Sequence, residues 1–143
     1  MNELTCTIIS TGEELKLVCK NENEPPYPEI KAKLREKIWE LYCKGYDRFW
    51  INCEYGVPLW CGEIITALAM YNDIELNIAM PYEEQSTNWV EEHRDRFFRL
   101  HAESDNVAIV SHHYTDKCYD LADELICIKS VYVRCITNSF NSR

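Results

Sequence analysis

Four polar loops, each following an apolar run, hold the residues best placed to do chemistry: Ser10-Thr11-Gly12-Glu13-Glu14, Asn52 to Pro58, Pro81 to Gln85, and Ser111 to Cys118. Thr11-Gly12 and Asn52 with Gly56 are glycine turns whose backbone N–H groups could face a phosphate. Neither fits G-x-G-x-x-G or the P-loop, so the spacing alone is a weak phosphate signal and favours a plain strand-to-helix turn. His112 and His113 stand close to Cys118. Adjacent side chains in extended backbone point to opposite sides, so only one histidine could share a site with the thiol, and no metal is expected. Cys53 and Cys118 lack the His/Asp pattern of an activated nucleophile. Trp60, Tyr82, Trp89 and Tyr114 could stack a base, or fill core and rim as such rings commonly do.

These loops need a frame, and the apolar spacing supplies one. Leu4 to Ser10 reads as a buried strand. Pro25, Pro26 and Pro28 exclude helix locally, and a helix is expected to begin near Ile30. Ile30, Leu34, Ile38 and Leu41 form its apolar stripe, with Gly45 as the C′ residue. Phe49 to Ile51 is the next strand. Leu59, Glu63, Ile64, Ala67, Leu68 and Tyr71 continue at helical spacing. Ile74 to Met80 is a third strand. A third helix presents Trp89, His93, Phe97 and Leu100 on one face, with Asn88 and Glu91 in capping-box spacing. Asn106 to Val110 is a strand, Cys118 to Ile128 a helix, and Val131 to Ile136 the final strand.

Strands alternating with helical segments of about 10–15 residues imply parallel βαβ units. The expected fold is α/β: a single domain over residues 1–143, with a doubly wound, mainly parallel five-stranded sheet covered by helices on both faces, Rossmann-like. Ligands of such sheets bind beyond the carboxyl ends of the strands, where the four loops lie.

The net charge of −9 argues against direct nucleic-acid binding, which needs a basic face, and is compatible with a basic protein partner. Eight cysteines occur with no C-x-x-C pair, as expected of reduced thiols packed as small hydrophobes in a cytoplasmic protein. Neither a signal peptide nor a membrane span is expected.

The run Phe49-Trp50-Ile51-Asn52-Cys53-Glu54-Tyr55-Gly56-Val57-Pro58-Leu59-Trp60-Cys61-Gly62-Glu63 resembles the "F-I-S-G-x-A-L-G-V-D-L-W-A-A-E" signature of the YpsA-like branch of the SLOG superfamily, relatives of DprA and the LOG-type phosphoribohydrolases. Pro81, Gln85 and Trp89 resemble its "P-x-x-x-Q-x-x-x-W" segment. Ser111, Tyr114-Thr115 and Cys118 resemble "S-x-x-Y-T-x-x-C", and Thr11-Gly12 resembles the "T-G-H-R" opening. The resemblance implies a Rossmann-like fold that binds nucleotides or nucleotide-derived ligands.

The departures fall on functional positions. The family's His-Arg is Glu13-Glu14, its Ser-Gly is Ile51-Asn52, and the Asp of G-V-D is Pro58. Asp120-Leu121-Ala122-Asp123 replaces a Gln-Lys-Arg-Asn run, and the chain ends before the family's Gly-Gly-Thr loop, as in a degenerate, C-terminally shortened member. In LOG-like relatives an acid near Glu63 serves glycosidic chemistry. Here Glu63 is expected to be a lone, solvated acid without its basic partner.

The sequence thus points to a non-enzymatic protein, without cofactor or metal, that binds a nucleotide-derived small molecule. Its ligand-binding residues would be Thr11, Gly12, Asn52, Gly56, Glu63, Tyr82, Gln85, Trp89, Tyr114 and Cys118. The alternative is a small acidic phage-type inhibitor or adaptor of a defence system, such as a CRISPR nuclease or a nucleotide-signalling system, acting by protein contact. A residual nucleotide hydrolase dependent on Glu63 is third. A homodimer is expected through the region of Val131 to Ile136.

Overall fold

The computed structural model describes residues 4–8, 23–25, 27–129 and 132–134, and side chains within 23–25 and 27–125. Thr11, Gly12, Glu13, Glu14, Val131 and Ile136 lie outside the described residues.

The order is β1 (Leu4–Ile8), α1 (Tyr27–Cys43), β2 (Tyr46–Ile51), α2 (Val57–Ala69), β3 (Glu75–Met80), α3 (Glu91–Glu103), β4 (Asn106–Ile109), α4 (Cys118–Lys129) and β5 (Tyr132–Arg134). The strands form one five-stranded sheet in the order β4-β3-β2-β1-β5. All four ladders are parallel. The expected doubly wound α/β fold is therefore the one adopted. The chain moves outward from β1 through β4, then returns to place β5 on the other side of β1. Right-handed crossovers put α1, α2 and α3 on one face and α4 on the other.

The strand period of two divides the core accordingly. Phe49, Ile51, Leu76 and Ile78 face the helices α1–α3 and meet Leu34, Ile38, Leu59, Ile65, Phe97 and Leu100. Trp50 and Ala79 face α4 and meet Ala122, with Leu125 packed alongside. Each fully buried large apolar side chain on the first face contributes roughly 1.5–3 kcal/mol. Of the cysteines whose side chains are described, Cys53, Cys61 and Cys118 are buried and Cys43 is exposed.

Three local expectations are corrected. Helix α1 begins at Tyr27, so Pro28 lies inside its first turn. That position is compatible with proline, because first-turn N–H groups have no intrahelical acceptor to lose. Asn88 does not cap α3: the helix starts at Glu91 with Val90 as N-cap and no side-chain cap. Trp89 therefore precedes the helix, yet still packs edge-on to Phe97 with ring centres 5.1 Å apart. On α2 the buried face runs through Leu59, Trp60, Cys61, Gly62, Ile65 and Leu68, while Ala67 and Tyr71 are exposed. The helix lies between α1 and α3 and buries a wider arc than one stripe. A Cβ on Gly62 would come within 2.5 Å of Leu100 Cδ2 and 2.8 Å of Ile51 Cδ1.

Candidate ligand-binding site

The carboxyl end of β2 turns sharply into α2. Asn52 Oδ1 accepts from the Glu54 N–H at 3.0 Å, an Asx turn that bends the chain away from the sheet. Cys53 follows with φ 60° and Gly56 with φ 110°. Such angles cost a residue with a Cβ, so glycine suits the second position. Gly56 is the N-cap of α2, and Pro58 lies in its first turn.

This terminus is a poor phosphate cradle. Pro58 has no N–H, and the Leu59 N–H is already taken by the Glu54 carbonyl at 3.1 Å. The Trp60 N–H bonds back to the Gly56 carbonyl at 2.9 Å.

Asn52 is buried and its side chain faces α4. Its Nδ2 donates to Asp123 Oδ1 at 3.2 Å. Gln85, also buried, comes from the loop after β3 and donates through Nε2 to the Asn52 carbonyl at 3.3 Å and to the Tyr119 hydroxyl at 3.4 Å. Gln85 Oε1 is buried without a hydrogen-bond partner. Tyr82 sits edge-on to Tyr119, ring centres 6.3 Å apart, and to Tyr114 at 5.5 Å. Asn52, Gln85 and Cys118 thus make a buried floor. Tyr82, Tyr119 and Asp123 are half-buried above it, and Tyr114 is exposed at the rim.

The field in this cluster is negative. Burial pushes the Asp123 carboxyl up to about 6; the Asn52 hydrogen bond partly opposes this, and the nearby Asp120 charge adds to it. Burial also raises the Tyr119 hydroxyl, followed by Glu54. Tyr82 is raised by burial first, then by Cys118, Tyr114 and Glu84.

Of the expected site residues, the fold brings Asn52, Tyr82, Gln85, Tyr114 and Cys118 together on the α4 side. Gly56, Glu63 and Trp89 fall on the other side, toward α2 and α3. There Glu63 is not a lone acid. It accepts two bonds from Arg96 on α3, Nε–Oε2 at 2.8 Å and Nη2–Oε1 at 2.6 Å. Trp89 packs against Tyr55, which stacks on His93 with ring centres 4.2 Å apart. Trp60 is no stacking platform: it is buried, edge-on to Tyr27 and under the Lys31 ammonium. Cys53 is buried, and burial together with Glu63 holds its thiol far above the thiolate range. His112 and His113 pair with successive carboxylates, Glu83 and Glu84, instead of converging on Cys118.

Tyr119, Asp123 and Arg96 were not among the expected site residues. Tyr119 and Asp123 carried a legible signal, since positions i and i+4 on α4 share a face beside Cys118. Arg96 carried none, being 33 residues from Glu63. A separate cavity of about 440 Å³ opens on the α4 side of the sheet, lined by Arg48, Trp50, Glu75, Asn77 and Asn106. It runs along β2 from Arg48 to Trp50 and along the amino-terminal parts of β3 and β4, apart from the loops at the carboxyl ends of the strands.

No helix among the described residues is long and apolar enough to cross a membrane. The chain is similar to UPF0398 proteins of several bacteria. It is 29% identical to one from Macrococcus caseolyticus over 59% of this chain and 46% of the relative. The figure is 26% for one from Bacillus pumilus, over 64% and 50%. For one from Listeria innocua it is 32%, over 54% and 42%. The chain therefore spans about half the length of the curated relatives it matches. A family profile named YpsA, described as the YspA SLOG family, matches residues 9–130. That match covers most of the chain, and the chain belongs to the YpsA SLOG family.

Proposed function

We propose that this protein binds a nucleotide-derived small molecule without transforming it, in a cleft remodelled from the site of its family. The observation that carries this reading is the convergence of Asn52, Gln85, Tyr119 and Asp123 beyond the ends of β2 and β3. A buried polar atom without a hydrogen-bond partner is costly and calls for an explanation, and Gln85 Oε1 is such an atom. The non-enzymatic part rests on Glu63, whose carboxylate is occupied by Arg96, and on Cys53, whose thiol is held protonated.

Calorimetric titration and thermal-shift measurement against nucleoside monophosphates, ADP-ribose derivatives and cyclic nucleotides test the reading. Saturable binding to at least one of them, with no product formed, is expected. Absence of heat and of any thermal shift across the whole panel would overturn it.

A second reading, an acidic adaptor acting in the cytoplasm by protein contact, is favoured by the −9 charge and by the exposed Val90, Phe98 and Ile109. Pull-down from a bacterial lysate that recovers one specific basic partner, together with a silent ligand panel, would select it.

A further inference from the structure

This inference rests on the small-molecule reading above and narrows the ligand class. The described part of the cleft has acceptors in excess and lacks a good anion cradle. The start of α2, on the other side of β2, offers little to an anion either: Pro58 has no N–H and the Leu59 N–H is spent on Glu54. The Glu54, Glu84 and Asp120 carboxylates all act on Tyr119, Tyr82 or Asp123. A phosphate led into this field meets repulsion.

Hydrogen-bond supply points the same way. Asp123 accepts one bond from Asn52 through Oδ1, and a carboxylate offers about four lone-pair positions across two oxygens. Gln85 Oε1 remains a buried acceptor without a donor. Tyr82 and Tyr114 place two rings at the open side of the same cluster.

We infer that the cleft takes a nucleobase edge presenting two adjacent N–H donors, the guanine type, held by Asp123 and stacked against Tyr82 or Tyr114, with any phosphate directed away from α2. A carboxylate accepting two parallel N–H bonds is the geometry that gives planar recognition its selectivity. Asp123 is half-buried, so these bonds form with partial exclusion of water.

The test is calorimetric titration of the full chain at pH 7.5 with guanosine, inosine, adenosine and guanosine 5′-monophosphate. Guanosine is expected to bind roughly tenfold or more tightly than inosine, which lacks the 2-amino donor, and than adenosine. The monophosphate is expected to gain nothing over guanosine. In Asp123→Asn, guanosine weakens by roughly tenfold or more, and xanthosine binding rises, because its C2 carbonyl accepts from the new amide. That exchange of preference is a readout that a misfolded variant cannot give. Equal affinity for guanosine and adenosine, or roughly tenfold tighter binding of the monophosphate than of guanosine, overturns this inference while leaving the small-molecule reading intact. A blank with these four ligands and binding of another nucleotide does the same. A blank with every nucleoside and nucleotide overturns both.

Discussion

The Asn52 side-chain amide donates to the Asp123 carboxylate at 3.2 Å, tying the carboxyl end of β2 to the second turn of α4. The same side chain accepts from Glu54 N–H, so one buried amide holds both the turn and the opposing helix. Asn52→Ala removes both bonds and leaves Asp123 without its donor. The expected cost is about 1–3 kcal/mol, read by urea unfolding. The Asp123 carboxyl should also titrate higher than in the parent, because a bond favouring its charged form is gone; carbon-detected NMR of the carboxyl reads this.

Asp123 also gives a pH signature. Its carboxyl is raised from 3.8 in the unfolded reference to about 6 in the folded chain. Between those values the folded state keeps a proton that the unfolded state has lost. The contribution of Asp123 to stability therefore falls as pH rises from about 4 to about 6, and is constant above that. Asp123→Asn removes the penalty. The variant should match the parent near pH 4 and exceed it by about 1–2 kcal/mol at pH 7, after discounting for the partial exposure of the group. Parallel stability–pH curves for the two proteins would contradict this.

Gly62 sits where α2 comes closest to β2 and α3. The added methyl of Gly62→Ala would meet Leu100 and Ile51, both buried, at 2.5 and 2.8 Å. Alanine gains up to about 1 kcal/mol in helix propensity. Overpacking costs about 1–3 kcal/mol, so a net loss and a lower melting temperature are expected. A variant as stable as the parent would show that Leu100 can repack.

Glu63 separates a structural role from a catalytic one. Glu63→Gln should weaken the bidentate pair with Arg96 and cost about 1 kcal/mol, since Glu63 is partly exposed. It should leave ligand affinity unchanged within about twofold, because Glu63 lies on the α2–α3 side and not with Asp123. Release of a free base from a nucleoside monophosphate by the parent, abolished in Glu63→Gln, would instead support the hydrolase.

Periodicity made the alternation of strands and helices legible, because burying Leu34, Ile38 and Leu41 on one face, and Phe49 and Ile51 on another, leaves a mark at spacings of three to four and two. Which strand-end loops would meet was less legible. Asn52 and Gln85 were visible as polar residues in the right loops. Their union with Asp123 depends on α4 crossing the opposite face, which no local spacing encodes. The helix starts were misplaced for a related reason. Pro28 is compatible with a first turn, and Asn88 has capping-box spacing although it still lies in the turns of residues 83–88, with Val90 extended before α3 begins.

Side-chain amide resonances give the most direct test of the binding cleft. In a nitrogen–proton correlation spectrum of the full chain, saturating nucleoside or nucleotide should shift the Asn52 and Gln85 side-chain amides, together with the backbone amides of Tyr119 and Asp123. Shifts confined to Asn77 and Asn106, which line the cavity at the other end of the strands, or no shifts with any ligand, would contradict it.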